Sequence, residues 1–194
     1  DDIDYSRLKE LGDYVQYELS LEDDPILYAK GSEIVIVHKI SMTRDRIKAL
    51  LPELKLMCEA ATGYNNIDIE AAKEFSIRVT NVAEYAKYSV VQQVFAYILQ
   101  FATSLREYHE DVKRGLWQKS KTFDLLNYPT FELYQKKIGI IGFGSIGQEV
   151  ARIAEAFRMQ VLSHDIVDIS KTGYKNYTLE EVLKESDIIV SCIF

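Results

Sequence analysis

Cysteine and histidine are scarce in this chain, with two and three copies among 194 residues. Two cysteines cannot build a disulfide framework. Cys58 and Cys192 both sit in apolar, strand-like runs, where they read as buried free thiols and not as metal ligands. They point to a reducing, cytoplasmic setting. No apolar run approaches the ~20 residues needed to span a bilayer, and no secretory signal pattern opens the chain, so no membrane partner is expected. An excess of positive charge is missing too. Against 30 Asp and Glu stand 23 Lys and Arg, for a net charge of −7, which removes the electrostatic footprint of a nucleic-acid partner. Internal repeats and low-complexity segments are absent. A hydrophobic content of 47% is ordinary for a globular protein, and the length admits one large domain or two small ones.

The most informative stretch runs from Lys137 to Gly147. Ile138 to Ile141 is a short apolar, β-branched run that reads as a buried strand. Gly142, Phe143, Gly144, Ser145, Ile146 and Gly147 follow as G-x-G-x-x-G. Val150, Ile153, Ala154 and Phe157 then continue from Ile146 on one helical face. A second apolar run, Gln160 to Ser163, leads to His164 and Asp165. Each glycine has a physical role. Gly142 permits the tight strand-to-helix turn, Gly144 lets a pyrophosphate approach the backbone, and Gly147 lets the helix pack on its strand. The helix start aims free N–H groups and its positive dipole end at the phosphates. Asp165 follows at about the 20-residue spacing from which a carboxylate reaches the adenosine ribose hydroxyls. A glycine-rich turn that binds nothing would not need all these parts together. Because a carboxylate bonds a free 2′-hydroxyl and repels a 2′-phosphate, the expected cofactor is NAD and not NADP.

Elsewhere strand and helix patterns alternate, which predicts an open parallel α/β sheet. Strands are predicted at Tyr14 to Leu19, Glu33 to His38, Leu54 to Cys58 and Ile77 to Thr80. Short helices are predicted over Tyr5 to Leu11, after a Thr43 cap, and over Ile69 to Phe75 with Asp68 or Asn66 as cap. One long helix is predicted over 88–114, ended by Gly115. It carries an apolar stripe through Val91, Phe95, Ile98, Ala102 and Leu105, and a second through Tyr97, Phe101, Tyr108 and Val112. One stripe can cover its own domain, and the other is a candidate homodimer contact. Trp117, Phe123 and Tyr128 lie in a polar connection that reads as an arm on a neighbour or an anchored surface loop. Thr178 to Glu181 is a capping box before the final strand. The chain opens at Asp1 without methionine and stops at Phe194 inside an apolar run. It is therefore expected to be an incomplete copy of a longer protein.

Three blocks resemble the D-isomer-specific 2-hydroxyacid dehydrogenases: Ala61 to Lys73, Val79 to Val82 with Ser89 to Gln93, and Ile138 to Gly147 with Asp165. The Ala-Thr-Gly-Tyr-Asn-Asn sequence of the first is most similar to the glycerate dehydrogenase and hydroxypyruvate reductase branch. The resemblance implies a smaller flavodoxin-like α/β substrate domain, 1–86, followed by a Rossmann-type doubly wound parallel sheet, 87–194, cut short at its end. It implies that Gly63, Tyr64 and Asn65 line the substrate site through backbone N–H groups. It implies that Cys192 stands near a cofactor-side position often held by histidine. The chain departs from the family at Ala83-Glu84, where Pro-Gly is usual, and at Gln93, where histidine is common.

The implied reaction is hydride transfer between nicotinamide and a small D-2-hydroxy or 2-keto acid such as glyoxylate or hydroxypyruvate. The catalytic arginine, glutamate and histidine of the family would follow Phe194, so no catalytic residue is assigned within the chain and these 194 residues alone are expected to be inactive. His38, His109 and His164 do not match the family base. The alternative is a non-catalytic NAD(H)-responsive regulator or scaffold on the same fold.

Overall fold

The computed structural model describes residues 4–18 and 24–193. It divides into two compact units between Tyr85 and Ala86. The first contains α1 (Ser6–Lys9), α2 (Ile26–Ala29), β1 (Ile34–Val37), α3 (Arg44–Ala49), β2 (Leu56–Glu59), α4 (Ile69–Glu74) and β3 (Arg78–Thr80). The three strands are parallel in the order β1-β2-β3, with Ile34 opposite Leu56 and Leu56 opposite Arg78. Val37 and Met57 point to one face, where they pack with Met42, Ile47, Leu50, Ala71 and Ala72 of the flanking connections and helices. Ile34 and Ile36 point to the other face and are exposed. Asp68 caps α4, accepting from the Ala71 amide at 2.8 Å. Thr43 stands at the start of α3 without a side-chain cap bond.

Two expectations for this unit change. Residues 14–18 form no strand; Leu19 lies outside the described residues. Val15 and Tyr17 of that stretch are exposed, so their alternation buries nothing that would hold them in a sheet. The described residues also do not contain a whole flavodoxin-like domain, because that architecture has five strands and this sheet has three.

The second unit contains α5 (Lys87–Thr103), α6 (Leu105–Lys113), α7 (Leu116–Lys119), β4 (Lys137–Ile141), α8 (Ser145–Ala156), β5 (Gln160–His164), α9 (Leu179–Glu185) and β6 (Ile188–Ser191), with one 3-10 turn at Ser170–Thr172. All three strands are parallel, in the order β5-β4-β6. An isolated parallel bridge joins Ser163 of β5 to Asn176 on the far side. The chain therefore builds outward from β4 through β5 to Asn176, then crosses back to lay β6 on the other side of β4. Ile138 and Ile140 are buried, as central parallel strands require. They pack with residues of α5 (Val91, Phe95, Ile98, Ala102) and α8 (Val150, Ala151, Ala154) in one core cluster. Thr178 and Glu181 form the expected capping box at the head of α9.

The predicted helix over 88–114 is broken. Ser104 adopts a left-handed conformation, φ 49, and separates α5 from α6. The returning chain explains the break. The Ser104 hydroxyl donates to the Pro129 carbonyl at 2.8 Å, and the Phe131 amide donates to the Ala102 carbonyl at 2.9 Å. The carbonyl freed at the end of α5 thus finds a donor from outside the helix. Downstream, Asp111 is buried on α6 and accepts from Asn127 Nδ2 at 2.9 Å, from the Tyr128 hydroxyl at 3.1 Å, and from Arg114. Tyr128 also meets Tyr108 edge to face. It is an anchor within its own unit, whereas Phe123 is fully exposed.

Among the described residues, no helix is long and apolar enough to cross a membrane and no cluster of metal-ligating side chains occurs. Cys58 and Cys192 are unpaired and half-buried.

Gly139 tests the packing of β4 against α9. A Cβ there would fall 2.7 Å from Val182 Cγ1 and onto the Ser186 hydroxyl. Gly139→Ala is expected to destabilise the protein by about 1–3 kcal/mol through overpacking, read from the urea midpoint. An unchanged midpoint would mean that α9 yields freely.

Candidate functional site: the turn after β4 and the loop after β2

The turn after β4 is held from both sides. The Gly142 amide donates to the His164 carbonyl at the end of β5 (2.9 Å), and the Cys192 amide beyond β6 donates to the Ile141 carbonyl (2.7 Å). Gly142 adopts φ 90, and a Cβ on it would sit 2.8 Å from the Cys192 backbone, so only glycine fits. Gly147 faces the Gly142 carbonyl so closely that a Cβ would overlap it, with Ile140 Cγ2 a further 3.2 Å neighbour. That closeness brings the start of α8 directly over the end of β4.

Gly144 is different. It occupies the N-cap of α8 and provides no side-chain cap. The space where its Cβ would lie is open. The leading amides of a 12-residue helix therefore face an unobstructed approach, the arrangement a pyrophosphate needs. Ser145 is half-buried; Ile146 packs against the core, so it offers this approach its backbone.

Asp165 stands immediately beyond β5. Its carboxylate accepts from the Phe143 amide at 2.6 Å and the Val167 amide at 3.1 Å. Those donors, Phe143 first, hold its pKa below the ordinary carboxylate range. It is therefore ionised at neutral pH, and a carboxylate has further lone-pair directions for ribose hydroxyls. The Phe143 amide is committed to Asp165, and its ring is buried against Tyr174, 4.9 Å between centroids. Phe143 thus supports the turn instead of presenting its own group to a ligand. Asn176 was not apparent from spacing. Its side chain accepts from the Asp165 amide and donates to the Asp165 carbonyl, both at 3.1 Å. The Cys192 thiol is half-buried, and burial pushes its pKa up, which keeps it protonated. His164 Nδ1 lies 2.8 Å from the Tyr177 carbonyl.

The loop after β2 is braced at both ends. The Ala60 amide donates to the Val37 carbonyl (2.8 Å), and the Met42 amide donates to the Asn66 carbonyl (2.6 Å). Between them the Thr62 hydroxyl donates to the Val82 carbonyl (2.9 Å), and Asn81 Nδ2 donates to the Thr62 carbonyl (2.8 Å). Among the described residues, the amides of Thr62, Gly63, Tyr64 and Asn65 donate to no protein acceptor. A run of free N–H groups on a braced loop can donate to a small anion. Tyr64 is half exposed beside it.

In the second unit, the crossover at β4, the glycine turn and the acid at the end of the neighbouring strand define a dinucleotide-binding domain of the Rossmann type, with its site at the point where strand order reverses. Residues 95–193 match the NAD binding domain of the D-isomer specific 2-hydroxyacid dehydrogenases, and the chain belongs to that family. It is 35% identical over 178 residues to the glycerate dehydrogenase of Methylorubrum extorquens, covering 91% of this chain and 55% of that protein. The structure of an acyclic imino acid reductase in complex with NADPH and D-Arg matches with a TM-score of 0.81 at 30% identity, over 97% of this chain and 60% of that one. A D-lactate dehydrogenase from Aquifex aeolicus complexed with NAD and lactic acid gives 0.72 at 30% identity, over 88% and 50%. The chain thus spans little more than half the length of such relatives.

Gly144 separates binding from folding. Gly144→Ala adds a methyl group in open space and is expected to leave the unfolding midpoint unchanged, yet raise the NADH Kd at least about tenfold, since one blocked phosphate contact is worth some 1.4 kcal/mol or more. Fluorescence titration and a thermal melt measure both. An unaltered Kd would remove the pyrophosphate from this turn.

Proposed function

We propose that the protein is an NAD-dependent oxidoreductase that transfers a hydride between nicotinamide and the α-carbon of a small D-2-hydroxy or 2-keto acid, with glyoxylate and hydroxypyruvate as the leading substrates. The observation that carries this reading is the open helix start at Gly144 beside an ionised Asp165. The nicotinamide supplies or takes the hydride when the cofactor is bound. The chain's own part is positional. The α8 amides receive the pyrophosphate, Asp165 accepts the ribose hydroxyls and disfavours a 2′-phosphate, and the amides of residues 62–65 receive the substrate carboxylate. We assign residues 1–86 to a substrate-binding domain and 87–194 to the cofactor domain. The sequence resemblance in the Ala-Thr-Gly-Tyr-Asn-Asn block and the likeness to a glycerate dehydrogenase support the choice of small acids.

Proton transfer needs an imidazole held by a carboxylate, and substrate grip needs an arginine. His38, His109 and His164 are not proposed for that role, and the reading places it outside these 194 residues. Nothing in the geometry or among the relatives supports the alternative of an NAD(H)-responsive regulator. Two unpaired thiols suit a reducing compartment, and we place the protein in the cytoplasm.

The full-length protein is expected to oxidise NADH in the presence of glyoxylate or hydroxypyruvate, with kcat/KM for NADH at least about tenfold above that for NADPH, the cost of setting a phosphate against Asp165. Absence of turnover with a panel of 2-keto acids, despite NADH binding, would reject the enzyme reading. A preference for NADPH would reject the role of Asp165.

We also propose a homodimer through the outward faces of α5 and α6. Tyr97, Phe101, Leu105 and Val112 are 60%, 75%, 62% and 48% exposed, an apolar surface of the sort that marks interfaces. Sedimentation at micromolar concentration is expected to give a dimer, and Phe101→Glu a monomer. A wild-type monomer would overturn this arrangement.

A further inference from the structure

We propose that Glu59 is a positioning residue for the substrate loop: acting through Asn66, it fixes the backbone amides that receive the substrate carboxylate. The inference rests on the function proposed above and names a group that the reaction itself does not use.

Glu59 closes β2 on the face that carries Met57, a position where a parallel strand ordinarily places an apolar side chain. It is 2% exposed. Burying a carboxylate there costs free energy unless it is hydrogen-bonded. Its partner is Asn66, whose Nδ2 donates to Glu59 Oε2 at 2.7 Å. The same Nδ2 donates to the Ile40 carbonyl at 2.9 Å. The Asn66 carbonyl in turn accepts from the Met42 amide. Asn66 is therefore the downstream post of the loop, clamped to the segment between β1 and α3, and Glu59 holds its side chain in the one orientation that serves both acceptors.

The loop needs such a post. Its upstream end is set by the Ala60–Val37 bond and its middle by Thr62 with Val82 and Asn81. From Gly63 to Asn65 no protein acceptor fixes the amides among the described residues. The Tyr64 carbonyl accepts from the Ile67 amide at 3.0 Å, so the Asn65 N–H of the same peptide unit takes its direction from the turn that Asn66 occupies. An anion that binds two or more of them requires that direction to be set before it arrives. Glutamine at 59 would keep an acceptor oxygen for Asn66 Nδ2, whereas alanine would leave that N–H without its buried partner.

The test uses the full-length protein with Glu59→Ala and Glu59→Gln. For Glu59→Ala, the KM for glyoxylate or hydroxypyruvate is expected to rise at least about tenfold, the value of one lost buried anchor. Its kcat should stay within about threefold, the signature of lost ground-state binding. The Kd for NADH should not change. Glu59→Gln should restore KM to within about twofold of wild type, since it keeps the hydrogen bond without the charge. Hydrogen exchange supplies a readout independent of turnover: the amides of Met42 and Ile67, which donate to the Asn66 and Tyr64 carbonyls at the end of the loop, should exchange faster in Glu59→Ala, with β1 and β2 unchanged. A wild-type KM in Glu59→Ala, failure of glutamine to rescue, or unchanged exchange at Met42 and Ile67 would each overturn the proposal. So would a uniform loss of protection across the first unit, which would make Glu59 a general stabiliser. A wild-type protein that binds NADH but turns over no 2-keto acid would instead sink the function proposed above, and the substrate role of Glu59 with it.

Discussion

The approach of α8 to the Gly142 carbonyl is the contact on which the cofactor side of the molecule depends. A helix lies that close to the end of a strand only where the facing residue has no Cβ, and Gly147 meets that condition. Once the helix is there, its first amides project past Gly144 into open space. The two bonds that flank the turn, from Gly142 to His164 and from Cys192 to Ile141, then line up three strand ends behind it. Asp165 completes the arrangement by reaching across to the Phe143 amide. The Asp165 carboxylate and the glycine turn are thus parts of one hydrogen-bonded unit. Displacing either would disturb the other.

The loop after β2 solves a similar problem by different means. The cofactor turn is rigid because it is crowded, whereas the residue 61–66 loop has open space at Gly63. Its rigidity comes from side-chain tethers at Thr62, Asn66 and Asn81. Crowding tolerates only glycine. Tethers tolerate exchange wherever the replacement keeps the donor or acceptor. The two segments are therefore open to different kinds of sequence change, although both offer backbone N–H groups.

Features set by local sterics were legible in the sequence. The spacing of the fingerprint glycines, the cap of α4 at one of its two candidates, Asp68, and the Thr178–Glu181 box each involve residues within a few positions of one another, and their geometry follows from residue type and spacing, although the exclusion of a Cβ at Gly142 depends also on the distant Cys192 backbone. Features set by distant partners were not. The left-handed turn at Ser104 depends on Pro129, the bracing of Asp165 depends on Asn176, and the purpose of a buried Glu59 is visible only when Asn66 is beside it. Residues 14–18 show the converse: apolar alternation predicts a strand, but without a neighbouring strand to pair with it has no ladder to join. The loop after β2 stood out only through family resemblance, since its glycine and asparagines alone describe an ordinary turn.

The break at Ser104 divides labour along what would otherwise be one rod. α5 contributes Val91, Phe95, Ile98 and Ala102 to the core beneath the cofactor turn, so drift there is paid in cofactor geometry. α6 is held instead by Asp111, Tyr128 and Asn127, a lock that touches none of the residues around Gly142 to Gly147. The joint lets the outer half of the rod evolve as a separate module: its outward side chains can be rewritten, lengthened or retargeted to new neighbours while the inner half keeps its register against β4.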